Sequence, residues 1–117
     1  MNAAATTSSF PSLPIDKNLP EAERLRLAAD VSAQHFEHLL GFLSYLDSNS
    51  TAMVRRAWQF ADQAHRNQWR SSGDPYITHP IAVAGICANW KLDAQALSAA
   101  LLHDAMEDCG ITKVDLF

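Results

Sequence analysis

Cysteine, positive charge and long apolar runs are all scarce in this chain, and each shortage removes a class of protein. Cys87 and Cys109, the two cysteines of 117 residues, show no CxxC spacing and cannot build the disulfide framework of a small secreted domain. Reduced, buried thiols in a cytoplasmic protein are expected instead. The formal charge of −4 excludes a broad basic face, so no direct nucleic-acid binding is expected of this segment. A small anionic ligand stays possible, because one metal ion and a few arginines reverse the local field. No apolar run approaches the roughly 20 residues that cross a bilayer. The first residues also lack the basic-then-apolar order of a signal peptide. Strand-type alternation and internal repeats are missing too. With 48% hydrophobic and 19% charged residues arranged at helical spacing, the chain is expected to be a soluble all-α domain, or part of one.

Residues 1–19 are polar and punctuated by proline, the composition of a disordered tail, and residues 20–117 form the domain. Pro20 suits the first position of a helix, with Glu21 and Glu23 near its positive end. Leu25, Ala28, Val31, Phe36, Leu39, Leu43 and Leu46 then recur at a helical period, and the predicted helix runs to about Tyr45. Asp47-Ser48-Asn49-Ser50 interrupts the pattern and offers caps for a helix over 51–68, with Val54, Ala57, Trp58, Ala61 and Ala64 on one face. Ser71-Ser72-Gly73-Asp74-Pro75 is a loop. A short helix follows over about 80–90, with Pro80 in its first turn and Ile81, Ala84 and Cys87 or Ala88 inward. Asp93 caps a further helix that carries Leu97, Leu101 and Ala105 to the core and stops at Gly110. Residues 111–117 read as the beginning of another helix, so an N-terminal piece of a longer protein is expected.

The densest chemical signal is His103-Asp104-Ala105-Met106-Glu107-Asp108, which begins 24 positions after His79. Shuffling this composition gives about 0.4 His-Asp dipeptides, so the pair alone says little, but requiring Glu and Asp at the next fixed places lowers the expectation to roughly 0.001. Imidazole nitrogen suits several transition metals, and carboxylate oxygen suits manganese or magnesium. On a helix, His103 stacks with Glu107 and Asp104 with Asp108, so one edge presents an imidazole and three carboxylates. A divalent cation at His103 and Asp104 relieves their mutual repulsion, and Glu107 and Asp108 are placed to activate water. The alternative is a solvated acidic helix end, which the helix dipole disfavours at this terminus.

His79 precedes a proline and by itself is as well read as a helix cap; only its combination with His103 on the next helix makes it a metal ligand. His65 is better read as a hydrogen-bonded, partly buried histidine, and His35 and His38 receive no chemistry. Arg55 and Arg56 fit a solvated helix face. Arg70 stands at the lip of the loop, where a guanidinium can stack on a base and pair with phosphate. Ser71, Ser72 and the backbone at Gly73 can add donors. Without the neighbouring metal pattern, a plain surface loop explains them equally.

The stretches from Ala64 to Pro80, reading AHRNQWRSSGDPYITHP, and from Ala99 to Asp108, reading AALLHDAMED, together closely resemble the hydrolase domain of the RelA/SpoT family, which makes and degrades the alarmone (p)ppGpp. The resemblance covers about residues 50–117. It implies an all-helical HD-domain bundle, incomplete here at its C-terminal end. It also implies a manganese-dependent guanosine-3′,5′-bis(diphosphate) 3′-pyrophosphohydrolase that releases pyrophosphate and leaves GDP or GTP. By that resemblance, His79, His103 and Asp104 are metal ligands and Glu107 and Asp108 act on the attacking water. Arg70 packs against guanine beside Ser71 and Ser72. Ser71 stands where many members have lysine, which weakens phosphate contact without threatening the mechanism. The intact HDxxED run implies a parent that both hydrolyses and synthesises (p)ppGpp in the stringent response. Ribosome contact would come only through C-terminal modules not in this segment. Two other readings stay open: an HD phosphohydrolase of another nucleotide, or a catalytically inactive regulatory helical domain.

The family's fourth ligand, an aspartate, is implied to lie beyond Phe117. Ile81, Leu97 and Leu101 are therefore expected to lack part of their apolar cover, making the fold marginal. Residues 1–117 alone are expected to bind manganese weakly and to release no measurable pyrophosphate from ppGpp. Assaying them with manganese beside a longer chain checks this, and robust metal-dependent turnover by residues 1–117 would contradict it.

Overall fold

A computed structural model describes residues 15–108, with side chains through Ala105. Residues 1–14 of the expected tail, Cys109, Gly110 and the 111–117 segment lie outside the described residues. Among the described residues, four helices follow in order: α1 (Glu21–Leu40), α2 (Ser48–Ala64), α3 (Thr78–Asn89) and α4 (Ala94–Asp108). Among the described residues, the one extended pairing is an isolated bridge between Trp69 and Pro75. The all-α expectation holds.

The helix ends follow from local chemistry, and most differ from expectation by a few residues. Pro20 sits just outside α1, in an extended conformation with φ −56° and ψ 148°, rather than in its first turn. Glu21 and Glu23 occupy the first turn, where the dipole favours negative charge. α1 stops at Leu40, short of Tyr45. Beyond it, Phe42 N–H donates to Leu39 O, Leu43 N–H to Leu40 O and Leu46 N–H to Leu43 O. These tighter three-residue turns keep Leu39 and Leu43 buried, so the apolar spacing outlasts the helix. Asp47 caps α2 by accepting from Ser50 N–H at 2.7 Å, and Asp93 caps α4 by accepting from Ala96 N–H at 2.9 Å. α2 ends at Ala64, four residues before the expected limit, because Asn67 turns the chain aside with φ 69°, a conformation asparagine tolerates better than most residues. Residues 15–19 are not loose chain: Ile15 N–H donates to Gly73 O and Leu19 N–H to Asp16 O.

α4 packs against both α2 and α3, and α1 lies across α2 and α3. Alanines line the contacts: Ala57 and Ala61 of α2 and Ala84 and Ala88 of α3 are buried with Leu97 and Leu101. Small side chains let helix axes approach closely. Phe36 of α1 stacks on Trp58 of α2 with ring centroids 4.4 Å apart. Trp58 Nε1–H donates to the buried Ser32 hydroxyl at 3.0 Å, which satisfies both polar groups. Leu97 and Leu101 are 0% exposed and Ile81 4%, so the expected lack of cover is corrected: α2 and α3 pack over α4, α1 and α4 pack over α3, and one shared core encloses all three side chains. Each such side chain contributes roughly 1.5–3 kcal/mol. Among the described residues, no helix is long and apolar enough to cross a membrane.

The Asp47 cap gives a pH-dependent prediction. The Ser50 backbone and side-chain hydrogen bonds hold the Asp47 carboxyl below its ordinary value, so the folded state prefers it ionised. The cap's stabilisation is complete above the ordinary carboxylate pKa of about 3.9 and is lost as pH falls through the lowered folded value. Asp47→Ala should therefore lower the urea midpoint by a constant amount from neutral pH down to about pH 5, with the gap closing only in stronger acid. Asp47→Asn should recover most of the midpoint, since Asn caps nearly as well.

Candidate active site

The turn before α3 sets the position of His79. Thr78 N–H and Oγ1–H both donate to Pro75 O, at 3.1 and 2.8 Å, and His79 N–H donates to Tyr76 O at 2.9 Å. α3 thus begins at Thr78, two residues before the expected start, and Pro80 still falls in the first turn, where a missing N–H costs nothing. His103 and Asp104 lie on α4. His79 Nε2 is 3.9 Å from Asp104 Oδ2, and His103 Nδ1 is 3.4 Å from Asp104 Oδ1. The three residues line one open cavity of about 480 Å³ whose other walls are Val83, Ala96, Ala99 and Ala100. Small residues leave that space free beside the polar edge.

Two imidazoles and a carboxylate are the donor set of a divalent transition metal. The two histidines face different oxygens of the Asp104 carboxylate, His79 toward Oδ2 and His103 toward Oδ1. Among the described residues, no group of three or more His, Cys, Asp or Glu side chains stands in a geometry that could hold a metal ion, so His79, His103 and Asp104 are a donor set by their chemistry rather than by their present placement. Asp104 is the best shielded of the three, with its side chain 21% exposed against 43% for His79 and 67% for His103. Glu107 and Asp108 belong to the last turn of α4, and their side chains lie outside the described residues.

Asp104 has a further partner that the sequence reading did not single out. Tyr76 Oη–H donates to Asp104 Oδ2 at 3.0 Å. The Tyr76 ring lies against His65 at 4.9 Å and His79 at 5.8 Å between centroids. His65 is buried, as expected, and its Nδ1 meets Gln68 Oε1 at 2.9 Å. A tyrosine three residues before a candidate ligand histidine was the available signal, but its reach across to α4 is a tertiary fact.

Arg70, Ser71 and Ser72 come together on a separate cavity of about 590 Å³, walled also by Lys17, Arg24 and Trp69. Gly73 N–H donates to Arg70 O at 2.9 Å and Arg70 N–H to Asp74 O at 2.8 Å, which closes the loop into a tight turn. Gly73 takes φ 94° there, a conformation that needs glycine. The Ser72 hydroxyl donates to Asp74 Oδ2 at 2.8 Å, so its proton is committed within the loop. Arg24 lies over the Trp69 ring at 5.6 Å. Lys17 and Arg24 were missed because residues 15–19 read as tail and α1 read as a scaffold. The loop and the histidine cluster are joined through the Trp69–Pro75 bridge and through Tyr76 N–H, which donates to Gln68 O at 2.8 Å. His35 and His38 line a groove between α1 and α3. Burial lowers the His35 pKa against the opposing pull of Asp74, which favours a neutral imidazole.

Known proteins share this arrangement of sequence. Residues 57–116, more than half of the chain, match the HD domain family. A guanosine-3′,5′-bis(diphosphate) 3′-pyrophosphohydrolase of Vibrio cholerae is 51% identical over 72 residues, which cover 62% of this chain and 10% of that protein. The bifunctional (p)ppGpp synthase/hydrolase SpoT of Escherichia coli is 51% identical over 73 residues, again 62% of this chain and 10% of that protein. The bifunctional (p)ppGpp synthase/hydrolase RelA of Mycobacterium tuberculosis is 56% identical over 59 residues, 50% of this chain and 8% of that protein. The chain thus spans about a tenth of the length of the curated relatives it matches. It belongs to the HD domain family, with SpoT and RelA proteins among its relatives.

Proposed function

We propose that this chain carries the hydrolytic site of a metal-dependent guanosine-3′,5′-bis(diphosphate) 3′-pyrophosphohydrolase acting in the cytoplasm. The observation that carries this reading is the meeting of His79 and His103 at the Asp104 carboxylate. It occurs in a chain of which 62% is 51% identical to part of proteins named for that reaction. The HD domain implies a divalent metal, and we take it to be Mn²⁺ held by His79, His103 and Asp104, with a further carboxylate from the family pattern downstream. Such an ion supplies charge neutralisation for the 3′-diphosphate and lowers the pKa of water nearby.

The rest of the chemistry falls to side chains. A water oxygen bonds to the phosphorus attached to the 3′-oxygen, and the bond from that phosphorus to the 3′-oxygen breaks. Glu107 and Asp108, on the turn of α4 after the ligands, take the proton from water and return one to the leaving 3′-oxygen. The products are pyrophosphate and GDP, or GTP from the pentaphosphate. Arg70 stacks on the guanine while its charge draws the polyphosphate. Ser71 contributes a hydroxyl where a lysine would contribute charge, so phosphate attraction at the loop rests on Arg70 and its neighbours.

Two measurements test this reading in the full chain, one extended past Phe117. Manganese should bind at one ion per site, and Asp104→Asn, which keeps shape and removes charge, should abolish that binding with little loss of helix. Unchanged stoichiometry in the variant would remove Asp104 from the ligand set. Glu107→Gln and Asp108→Asn should retain the metal and lose about 10²–10⁴-fold in ppGpp hydrolysis, the usual worth of general acid–base help. Parent-like rates in both variants would reduce these acids to a solvated helix end.

A further inference from the structure

We propose that Tyr76 is the positioning residue of the site: it fixes the Asp104 carboxylate and the start of the His79 helix relative to each other, and so presets the spacing at which they share a cation. The inference rests on the reading that Asp104 is a metal ligand.

Tyr76 acts at both ends of that spacing. Its carbonyl accepts the His79 N–H at 2.9 Å, and its phenol donates to Asp104 Oδ2 at 3.0 Å, across 28 positions of sequence. The two histidines cannot provide this constraint themselves. Their side chains are 43% and 67% exposed, and their contacts to Asp104 are long. An aspartate ligand, by contrast, must be stopped from rotating about its terminal torsion, which is broad and two-fold. A phenol on one oxygen does this. The phenol does so as a neutral donor that adds no charge of its own. A hydrogen bond to an ionised acceptor is roughly twice as strong as a neutral one.

Tyr76 is itself held. Its N–H donates to Gln68 O at 2.8 Å, Gln68 Oε1 meets His65 Nδ1 at 2.9 Å, and the His65 ring returns to the Tyr76 ring at 4.9 Å. His65, Gln68 and Tyr76 therefore form a closed circuit, with His65 only 3% exposed. The buried histidine that carries no ligand role thus serves as the back wall for the tyrosine. Groups that orient metal ligands in this way typically govern about 10–100-fold in metal affinity or activity.

The test is Tyr76→Phe in the full chain, which keeps the ring against His65 and removes only the hydroxyl. Manganese affinity is read by the loss of the free-ion paramagnetic resonance signal, beside Asp104→Asn and Leu101→Ala. The last variant destabilises the core without touching the site. Tyr76→Phe is expected to weaken manganese binding about tenfold to a hundredfold. Added manganese should restore part of kcat, and KM for ppGpp at saturating manganese should be unchanged. Leu101→Ala should lower Tm more and leave manganese affinity in place. Parent-like affinity in Tyr76→Phe, with binding lost in Asp104→Asn, would overturn the positioning role alone. Equal weakening in Tyr76→Phe and Leu101→Ala would overturn it too, by assigning the effect to general destabilisation. Parent-like binding in Asp104→Asn would overturn the metal reading and the inference together.

Discussion

Asp104 is the side chain on which the polar organisation of this molecule turns. It is an anion on a helix whose neighbouring turn buries Leu101 and Ala105 completely, so it sits at the border between core and solvent. A polar side chain at that border needs hydrogen-bonding partners. Three polar groups from two stretches of sequence supply them: the Tyr76 phenol, the His79 imidazole and the His103 imidazole. Helix packing puts them in reach, since α3 and α4 meet through alanine-rich surfaces. Larger residues at Ala96, Ala99 or Ala100 would fill the cavity beside the carboxylate.

The second polar region, the Arg70 loop, is shaped by different forces. Backbone hydrogen bonds and the positive φ of Gly73 close it, and Asp74 holds the Ser72 hydroxyl. The cations Lys17, Arg24 and Arg70 share its cavity with the single carboxylate of Asp16. Within a chain of formal charge −4, this is a local excess of positive charge. Such an excess suits a polyanionic nucleotide better than net charge alone suggests. The two regions are joined by one short hairpin-like segment from Gln68 to Tyr76, so a ligand reaching from one to the other would be held by neighbouring parts of the same turn.

Much of this was legible in the residues. The Asp93 cap, the run of cap residues from Asp47 to Ser50, the inward stripe of Leu97, Leu101 and Ala105, and the approach of His79 to the His103-Asp104 dipeptide all follow from spacing and side-chain chemistry. The helix ends were less legible. Three-residue turns past Leu40 preserve the same apolar spacing as an α-helix, and the left-handed turn at Asn67 carries no strong signal in an AHRNQ sequence. The cover over Ile81, Leu97 and Leu101 was underestimated because pairwise periodicity does not reveal how closely alanine faces approach. Tyr76 carries no local signal of its role because its contact with Asp104 joins positions 28 residues apart, and His65 acts only through the Tyr76 ring. Lys17 and Arg24 escaped for the same reason: their place beside Arg70 depends on the lead-in to α1 folding back on the loop.

The most direct test of the central claim is electron–nuclear double resonance on manganese bound to the full chain, with histidine labelled by ¹⁵N. Couplings from two imidazole nitrogens are expected, one disappearing in His79→Ala and the other in His103→Ala. Manganese that shows only water protons, or nitrogen couplings that survive both substitutions, would contradict the claim that these histidines and Asp104 share one cation.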